Sequence, residues 1–537
     1  MKLKIFSINN IIKLMCLTLL LSCSKSGNIE EQVAGENEVL LNILVSGIEE
    51  SGKLDASVAN ASAISNDVLL NIPQEVTSAG GYSMEIYAGH IPSNNILDNS
   101  SSIKSKISGK KLGAAMESGV KYRIIFYEII NGTEIFFKTE EITTGSSAFS
   151  TTIKATKNYK WYAYSYNDAT MPAMVDDLDN PVIPSKTDAP LLMASGTIAG
   201  GPFNAASKHL AIVFKHKVSK VELIIDAANA FATAILALNV NFQNFNLTAH
   251  NFDLRTGQLS GSAISTQAIP TSPILFESTG ATGYESSQQK STNSYYTSSQ
   301  LASIQFKISL LTILKYGTNT ETVINSNNVK TGTVNYTTPL PNTRLASVNV
   351  QAGAPINGTI WSTGNLYYDQ FAADPFKYRF QDPVTSGQTA ACNHYFQWNS
   401  KLPRNITGGD DYAYLNSSYV GDPCAEVYPK GTWKTPSTAD FTSLQTALAN
   451  SPRNGAVYFE ASNGERVNFH EAGWLTSGSN ACPNPSNTDD GLYWSTTQYN
   501  TNQGLVLEID ERGGTGAGNE VANYNKRYGM SVRCIKK

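Results

Sequence analysis

The sequence is short of charge and of long hydrophobic runs. Only 16% of its 537 residues are charged, and the formal net charge is −4. It has no basic patch and no run of like charges, which argues against nucleic acid as a partner. After the first 23 residues, no apolar segment reaches the roughly 20 residues that a transmembrane helix needs. The six histidines are scattered, without catalytic or zinc-binding spacing. We therefore predict no catalytic residues, no metal site, no cofactor and no enzymatic activity.

Cysteine and tryptophan are nearly absent from the middle of the chain. Between Glu38 and Gln351 there is no cysteine, and the only tryptophan is Trp161. The other tryptophans and most of the cysteines lie in the last third. This contrast divides the chain in two. The boundary is predicted at residues 352–358, a segment with glycine and proline that is typical of a linker.

The N-terminus contains the parts of a signal peptide in order. Lysines precede the short apolar run 14–21, and the small residue Ser22 precedes Cys23. The sequence Leu-Leu-Ser-Cys at residues 20–23 resembles the lipobox of bacterial lipoproteins. The resemblance implies that residues 1–22 are removed and that Cys23 is lipidated, which attaches the mature chain to a membrane. The alternative is an ordinary signal peptide that happens to end in cysteine.

The remainder of the chain has the composition of an extracellular β-protein. Residues 23–37 are mostly polar and lack aromatics, so they are predicted to be a flexible tether. Beyond them, tyrosine and phenylalanine occur in alternating runs between turn residues, and helical periodicity is scarce. The predicted strands are residues 39–45, 121–127, 134–138, 160–166, 210–218, 220–225 and 347–350, with Ser219 joining the fifth and sixth. The predicted fold is mainly β.

Three segments in the first two thirds of the chain resemble fimbrillin-like proteins, a family of pilus subunits and surface lipoproteins. The segments are residues 159–167, 192–196 and 210–225. The resemblance implies two transthyretin-like β-sandwich domains, at residues 38–185 and 186–352. It also implies a surface-exposed lipoprotein of the outer membrane, with other pilus subunits as partners. In such subunits a first strand is removed after an arginine, but the first arginine of this mature chain is Arg123.

Motifs in the last third resemble, in order, the Fibrobacter succinogenes major paralogous domain. The motifs are residues 395–398 (Tyr-Phe-Gln-Trp), 421–424 (Gly-Asp-Pro-Cys), 431–437, 493–497 and 529–534. The resemblance implies an α+β, C-type-lectin-like domain over residues 356–537. Ser437 is placed to cap a helix that would extend to about residue 450, with Phe441, Leu444 and Leu448 on one face.

Four cysteines in an exported domain, without a Cys-x-x-Cys pair, favour two disulfides over a metal site. These cysteines allow three connectivities. The resemblance to the lectin-like domain implies a pair between Cys424 and Cys534, which leaves Cys392 with Cys482. The alternative is a catalytic cysteine pair, as in the related formylglycine-generating enzymes.

The sugar-binding members of the lectin-like fold use calcium-binding motifs that this sequence does not match. Exposed aromatic rings could still stack on sugar faces. Tyr412, Tyr414, Tyr419 and Tyr499 lie in loop-like segments and are the candidate ligand-binding residues. The alternative for each is that its ring covers the core.

These observations together predict a cell-surface lipoprotein that acts as an adhesin or pilus tip subunit. Its C-terminal domain would bind a host, glycan or bacterial partner, and its N-terminal lipid would bind the membrane. The alternative is a structural fimbrial subunit, either anchor or shaft, without a ligand of its own.

Overall fold

A computed structural model shows the architecture of the chain. It describes residues 38–49, 75–79, 81–88, 116–145, 148–200, 207–269, 276–278, 288–336, 344–381, 392–404, 418–447, 456–461, 466–475, 490–510 and 520–537. The predicted signal peptide, lipidated Cys23 and tether lie outside the described residues and stay predictions. Within those ranges, no helix is both long enough and apolar enough to cross a membrane.

The described residues are mostly in strands. Strands of the first half are β1 (Glu38–Glu49), β2 (Glu75–Ala79), β3 (Tyr82–Ala88), β4 (Lys121–Ile130), β5 (Thr133–Thr143), β6 (Phe149–Lys154), β7 (Tyr159–Ser165), β8 (Val182–Pro184), β9 (Leu192–Ile198), β10 (Ser207–His216), β11 (Ser219–Asp226), β12 (Ala232–Gln243), β13 (Asn246–Asp253) and β14 (Leu259–Ala268). They are followed by β15 (Phe276–Ser278), β16 (Gln289–Thr292), β17 (Tyr295–Thr297), β18 (Ser303–Lys315), β19 (Asn319–Ile324), β20 (Lys330–Asn335) and β21 (Arg344–Gln351).

The last third has shorter elements. Its strands are β22 (Gly353–Ile356), β23 (Thr359–Ser362), β24 (Asn365–Tyr368), β25 (Tyr378–Gln381), β26 (Trp433–Lys434), β27 (Ala456–Glu460), β28 (Arg466–His470), β29 (Asp490–Gln498), β30 (Gln503–Asp510), β31 (Glu520–Asn525) and β32 (Ile535–Lys536). The described helix of this part is α1 (Thr438–Gln445). The prediction of a mainly β fold with several sheets is confirmed.

The described residues form two compact units. The first comprises the described residues up to 48, within 114–174 and within 194–214. Most of it is a seven-stranded sheet with the order β5-β4-β7-β9-β10-β1-β6. Strand β4 is buried over most of its length, and Tyr127 packs edge to face against Tyr162 with ring centroids 5.8 Å apart. Alternation in β1 buries Val39, Leu41 and Ile43, as the period of a strand requires.

The second unit comprises the remaining described residues. One of its sheets has the order β15-β16-β11-β21-β3-β2, with β17 also paired to β11. Here β11 and β21 run parallel, from Val221 beside Arg344 onward, and β21 runs antiparallel to β3. Two further sheets have the orders β12-β18-β19, with β20 on β18, and β14-β13-β8. The predicted range 38–185 therefore supplies strands to both units, and the predicted domain boundaries stay predictions.

The last third shares a hydrophobic core with the strands that precede it in the second unit. Buried Phe231 meets Phe380 at 5.2 Å between ring centroids, and Phe380 meets Trp433 at 4.8 Å. Both contacts are edge to face, and all three rings belong to one continuous core cluster. The C-terminal part is consequently packed into the second unit.

The segment predicted as a Gly/Pro linker, residues 352–358, is instead the start of a hairpin. Strand β22 pairs with β23 across a turn at Asn357 and Gly358, which both have positive φ. Gly353 lies against the next strand so closely that a Cβ there would approach Ile360 Cγ2 to 2.7 Å. Glycine is present because of this close packing, so the linker prediction is wrong. A domain boundary near this position stays a prediction.

The predicted helix cap at Ser437 is confirmed. The Ser437 hydroxyl accepts from the Asp440 N–H, and the Asp440 carboxylate accepts from the Ser437 N–H at 2.7 Å, which forms a capping box. Phe441 and Leu444 are buried as expected. The helix ends at Gln445 and not near residue 450, while Leu448 lies outside the described residues. The predicted junction at Ser219 is also shifted, because β10 already ends at His216.

Candidate ligand-binding site

Two of the predicted ligand-binding tyrosines are described, and both are exposed. Tyr419 is 39% exposed and Tyr499 is 58% exposed. The Tyr419 carbonyl accepts a hydrogen bond from the Lys401 N–H at 2.8 Å, and the Tyr499 N–H donates to the Gln503 carbonyl at 3.0 Å. Tyr412 and Tyr414 lie outside the described residues. A role in ligand binding stays a prediction for all four.

A cavity of about 200 Å³ lies beside the segment that pairs with Tyr419. It borders residues 397–399, which comprise the end of the Tyr-Phe-Gln-Trp motif and Asn399, a turn residue with positive φ. Every one of the motif segments that resemble the lectin-like domain contributes to its lining. The lining residues are Gln397, Trp398, Asn399, Asp422, Pro423, Thr435, Trp494, Ser495, Thr496 and Val532.

Sequence reasoning did not find this cavity, although the motifs themselves carried the signal. Each motif is a local pattern and gives no indication of which other segments it will contact. The lining is assembled from segments as far apart as Gln397 and Val532, which only the fold brings together.

The indole of Trp398 is fixed by its surroundings. Its Nε1 donates to the Ser495 carbonyl at 2.9 Å. Gly504 abuts the ring, and a Cβ at that position would come within 2.5 Å of Trp398 Cδ1. The Lys526 Nζ lies 4.3 Å from the ring centroid, a cation–π contact, and also donates to the Thr501 carbonyl at 3.0 Å. The ring is therefore held in one orientation at the cavity wall.

Asp422 is the carboxylate of the cavity. Its Oδ1 accepts from the Cys424 N–H at 2.9 Å, which caps the short 3-10 helix Pro423–Glu426, and from the Thr435 hydroxyl at 2.6 Å. Among the described residues, Oδ2 accepts only from the Thr435 N–H, at 3.0 Å. A carboxylate oxygen can accept two hydrogen bonds, so Oδ2 retains capacity for a ligand hydroxyl or amine.

Glu426, which ends the same 3-10 helix, is neutralised by its own chain. Lys401 Nζ lies 3.1 Å from Oε1 and Lys430 Nζ lies 2.8 Å from Oε2. Burial acts to raise the pKa of Glu426, but hydrogen bonds from Lys430 and Lys401 hold that pKa below its ordinary value. Within the described residues no lysine or arginine forms an ion pair with Asp422, so the two carboxylates differ in their availability to a ligand.

A disulfide between Cys424 and Cys534 joins two of the lining segments, with the Cα atoms 5.7 Å apart. Pro423 precedes one cysteine, and Val532 lies two residues before the other. Both cysteines are fully buried. The bond is the pair that the sequence resemblance implied. Cys482 lies outside the described residues, so its pairing with Cys392 stays a prediction.

The cavity combines flat apolar surface with hydrogen-bonding groups. Trp398, which is partly exposed, supplies indole surface, and the buried Trp494 adds apolar wall behind it. Asp422, Asn399 and Thr496 supply a carboxylate, an amide and a hydroxyl. Its described lining contains no histidine, free thiol or lysine that could serve as a nucleophile or base. Among the residues that the structure describes, no group of three or more His, Cys, Asp or Glu is placed to hold a metal ion. The arrangement is suited to reversible binding of a neutral ligand with hydroxyl groups.

No family model matches this chain, and no curated protein matches it. Several solved structures show a distant likeness. A putative cell adhesion protein of Bacteroides fragilis has a TM-score of 0.29 and 12% identity, over 58% of this chain and 93% of its own. A putative cell adhesion protein of Bacteroides ovatus has a TM-score of 0.24 and 15% identity, over 54% and 88%. The fimbrial anchor protein of Porphyromonas gingivalis has a TM-score of 0.22 and 8% identity, over 38% and 74%. Likenesses this distant carry no inference about function.

Proposed function

We propose that this protein is a cell-surface lipoprotein adhesin that binds a glycan in the cavity around Trp398. The observation that carries the proposal is the composition of that cavity. Its lining contains the fixed indole of Trp398 and the carboxylate of Asp422, whose Oδ2 can accept a further hydrogen bond. Aromatic rings stack on the apolar faces of sugars, and carboxylate and amide groups hydrogen-bond their hydroxyls. A ring that is already held in place loses little conformational entropy when a ligand stacks on it.

The N-terminal sequence supports a place at the cell surface. The signal peptide would direct export and be removed, the lipid on Cys23 would anchor the mature chain, and the polar segment 23–37 would hold the folded part away from the membrane. Tyr419 and Tyr499, both exposed, would extend the contact to sugar residues outside the cavity. The Cys424–Cys534 disulfide would keep two lining segments together in an oxidising environment.

Binding is best tested on whole cells that display the complete chain. Removing residues 356–537 would also expose Phe231 and its neighbours in the shared core, so truncation would not isolate a binding defect. We expect cells with Trp398→Ala to lose adhesion to a panel of immobilised polysaccharides and cultured epithelial cells. The control is Phe371→Ala, because Phe371 is 88% exposed and does not line the cavity.

Equal adhesion by the wild type and Trp398→Ala would refute the role of the cavity. Protease treatment of intact cells tests the location separately. We expect the chain to be cleaved at the surface of cells with Cys23 intact and to be released from the membrane by Cys23→Ser. Retention of the Cys23→Ser chain would refute the lipid anchor.

A structural fimbrial subunit is the second candidate, and the position of β1 favours it. In the first unit, β1 lies inside the sheet between β10 and β6, and it pairs with β6 from Glu38 opposite Lys154 to Ile43 opposite Phe149. Loss of β1 would open a gap that another strand could fill. Mass spectrometry of the mature N-terminus distinguishes the candidates. A start at lipidated Cys23 indicates a retained anchor, whereas a start between Ser51 and Asp55 indicates strand removal.

A further inference from the structure

Four polar side chains in the interior of the second unit are linked by contacts from one to the next. Lys536 of β32 forms an ion pair with Glu85 of β3. Asn349 of β21 lies opposite Glu85 in the antiparallel register, and its Nδ2 donates to Glu85 Oε2 at 3.2 Å. Asn229 Nδ2 donates in turn to Asn349 Oδ1 at 2.9 Å. The fold therefore brings an amine, a carboxyl group and a carboxamide together away from solvent.

The amine of Lys536 is close to the carboxamide of Asn349. Lys536 Nζ and Asn349 Nδ2 both bind one atom, Glu85 Oε2. Two donors on one acceptor lie no more than about 6 Å apart, because each hydrogen bond is about 3 Å long. Both side chains turn about single bonds, so a change of rotamer shortens this distance while the strands stay in place.

The surroundings favour reaction between these two groups. Burial lowers the pKa of Lys536, although the Glu85 carboxylate acts to raise that pKa. A lower pKa makes the neutral amine, which is the nucleophilic form of lysine, more accessible. The hydrogen bond from Asn229 is directed at Asn349 Oδ1, the atom on which negative charge develops when an amine adds to the carboxamide.

We propose that Lys536 and Asn349 form an intramolecular amide bond, with Glu85 transferring the protons. Glu85 first accepts a proton from the Lys536 ammonium group. The neutral Nζ then bonds to Asn349 Cγ, and the displaced electron pair moves to Oδ1, to which Asn229 donates. The bond between Cγ and Nδ2 breaks as Glu85 gives a proton to Nδ2, and ammonia leaves. The surplus proton on Nζ passes to Glu85, which ends as a neutral carboxylic acid.

This reaction needs no oxidant or other co-reactant, and its product leaves no charge in the interior. A neutral amide and a neutral carboxyl group replace the ion pair, and a buried neutral group costs less free energy than a buried ion. The Tyr87 hydroxyl, 2.7 Å from Glu85 Oε2, remains a hydrogen-bond partner for that carboxyl group. A chain that has not reacted retains the ion pair.

The amide bond would join the end of the chain covalently to β21. The Cys424–Cys534 disulfide also holds this end, but thiols can reduce a disulfide and cannot reduce an amide. The C-terminal part would then stay attached under reducing conditions. The inference does not depend on glycan binding, because none of these residues lines the Trp398 cavity.

Mass spectrometry of the whole mature chain tests the proposal, with Cys23→Ser present to prevent lipidation. The folded chain is incubated for several days, then reduced and digested with trypsin. We expect the loss of one ammonia, about 17 Da, and a branched peptide that joins residues 345–377 to residues 534–537. The same chain incubated in urea should not form this peptide, because unfolding separates the reacting groups.

Variants separate the roles of the groups. Lys536→Arg keeps a cation beside Glu85 but has no amine nucleophile, and Glu85→Gln keeps the shape but cannot transfer protons. Neither should yield the branched peptide, and circular dichroism checks that both fold. Lys537→Arg is the matched control, because it changes the adjacent, exposed lysine, and it should react as the parent does.

A parent chain that keeps its full mass after incubation would overturn the proposal, whatever the variants do. A branched peptide that persists in Glu85→Gln would overturn the role of Glu85 in proton transfer. A bond from residues 534–537 to residues 54–104 would also contradict the proposal, because it would place the amide on Glu85 and not on Asn349.

Discussion

The ammonium group of Lys536 forms an ion pair with the carboxylate of Glu85, 451 positions earlier in the chain. The side chains are only 13% and 7% exposed. Glu85 Oε2 also accepts from the Tyr87 hydroxyl at 2.7 Å and from Asn349 Nδ2 at 3.2 Å. This buried network fastens the last strand of the chain to β3 and β21. Within the second unit, the C-terminal part is therefore held to the preceding strands by polar contacts as well as by the shared aromatic core.

Removing one partner of this ion pair should destabilise the second unit strongly. Lys536→Met would leave the Glu85 carboxylate buried without its cation, which costs about 3–5 kcal/mol in comparable pairs. Adding Glu85→Gln should recover a large part of the loss, because a neutral amide needs no counter-ion. Chemical denaturation of the single and double variants measures both steps. Lys537→Met, at an exposed position, is the control. Equal stability of Lys536→Met and Lys537→Met would contradict the account.

The Cys424–Cys534 disulfide should contribute substantially to stability. It closes a loop with a sequence separation of 110, and loss of such a bond typically costs about 2–5 kcal/mol. We expect this loss in a Cys424→Ala, Cys534→Ala double variant. Tryptophan fluorescence during urea unfolding reports on it, because all tryptophans except Trp161 lie in the last third. A change below about 1 kcal/mol would show that the bond constrains the unfolded chain little.

Alkaline pH should unfold the protein through its buried tyrosines. Burial raises the pKa of Tyr166 to about 12 and raises that of Tyr122 further. In the unfolded chain a tyrosine titrates near pH 10, so above that pH the folded state holds more protons than the unfolded state. The stability is therefore fully present below about pH 10 and is lost as pH rises toward the folded pKa values.

Tyrosinate absorbance and far-UV circular dichroism, recorded against pH, measure this effect. We expect the buried tyrosines to ionise together with the loss of structure. Tyr122→Phe should move the alkaline midpoint to higher pH, because it removes a buried ionisable hydroxyl and keeps the ring. Tyr499→Phe, which changes an exposed residue, should leave the midpoint where it is. The opposite order of these two variants would be inconsistent with the burial of Tyr122.

A methyl group at Gly504 should displace Trp398 without touching the cavity's polar groups. The added Cβ of Gly504→Ala would come within 2.5 Å of the indole, and such overpacking costs about 1–3 kcal/mol. We expect a changed near-UV circular dichroism spectrum and weaker adhesion to the same polysaccharide panel. Gly145→Ala is the matched control, since a Cβ there meets nothing within 4 Å. An unchanged spectrum for Gly504→Ala would mean that Trp398 is not held as described.

The sequence was most informative where structure is local. Runs of β-branched, aliphatic and aromatic residues at 39–45 and 121–127 predicted strands that the structure shows as β1 and β4, because such residues are enriched in strands. Ser437 predicted the start of a helix, because a helix cap consists of hydrogen bonds between residues a few positions apart, here Ser437 and Asp440. Each of these signals depends only on neighbours in the chain.

Contacts between residues far apart in the chain could not be predicted from local sequence patterns. Gly353 and Pro355 indicated a linker, but Gly353 is required by the close approach of Ile360 and Trp433. The parallel pairing of Val221 with Arg344 joins segments that no local rule relates. The Trp398 cavity was missed for the same reason, although its lining residues were recognised as motifs.

A glycan array probed with the purified mature chain, carrying Cys23→Ser, tests the central claim most directly. We expect binding to one class of glycan, reduced at least tenfold by Trp398→Ala, because a central aromatic contact usually contributes about 2 kcal/mol or more. Phe371→Ala should bind as the parent does. Binding that Trp398→Ala leaves unchanged, or an array on which the parent chain binds no glycan, would contradict the assignment of the cavity as a glycan site.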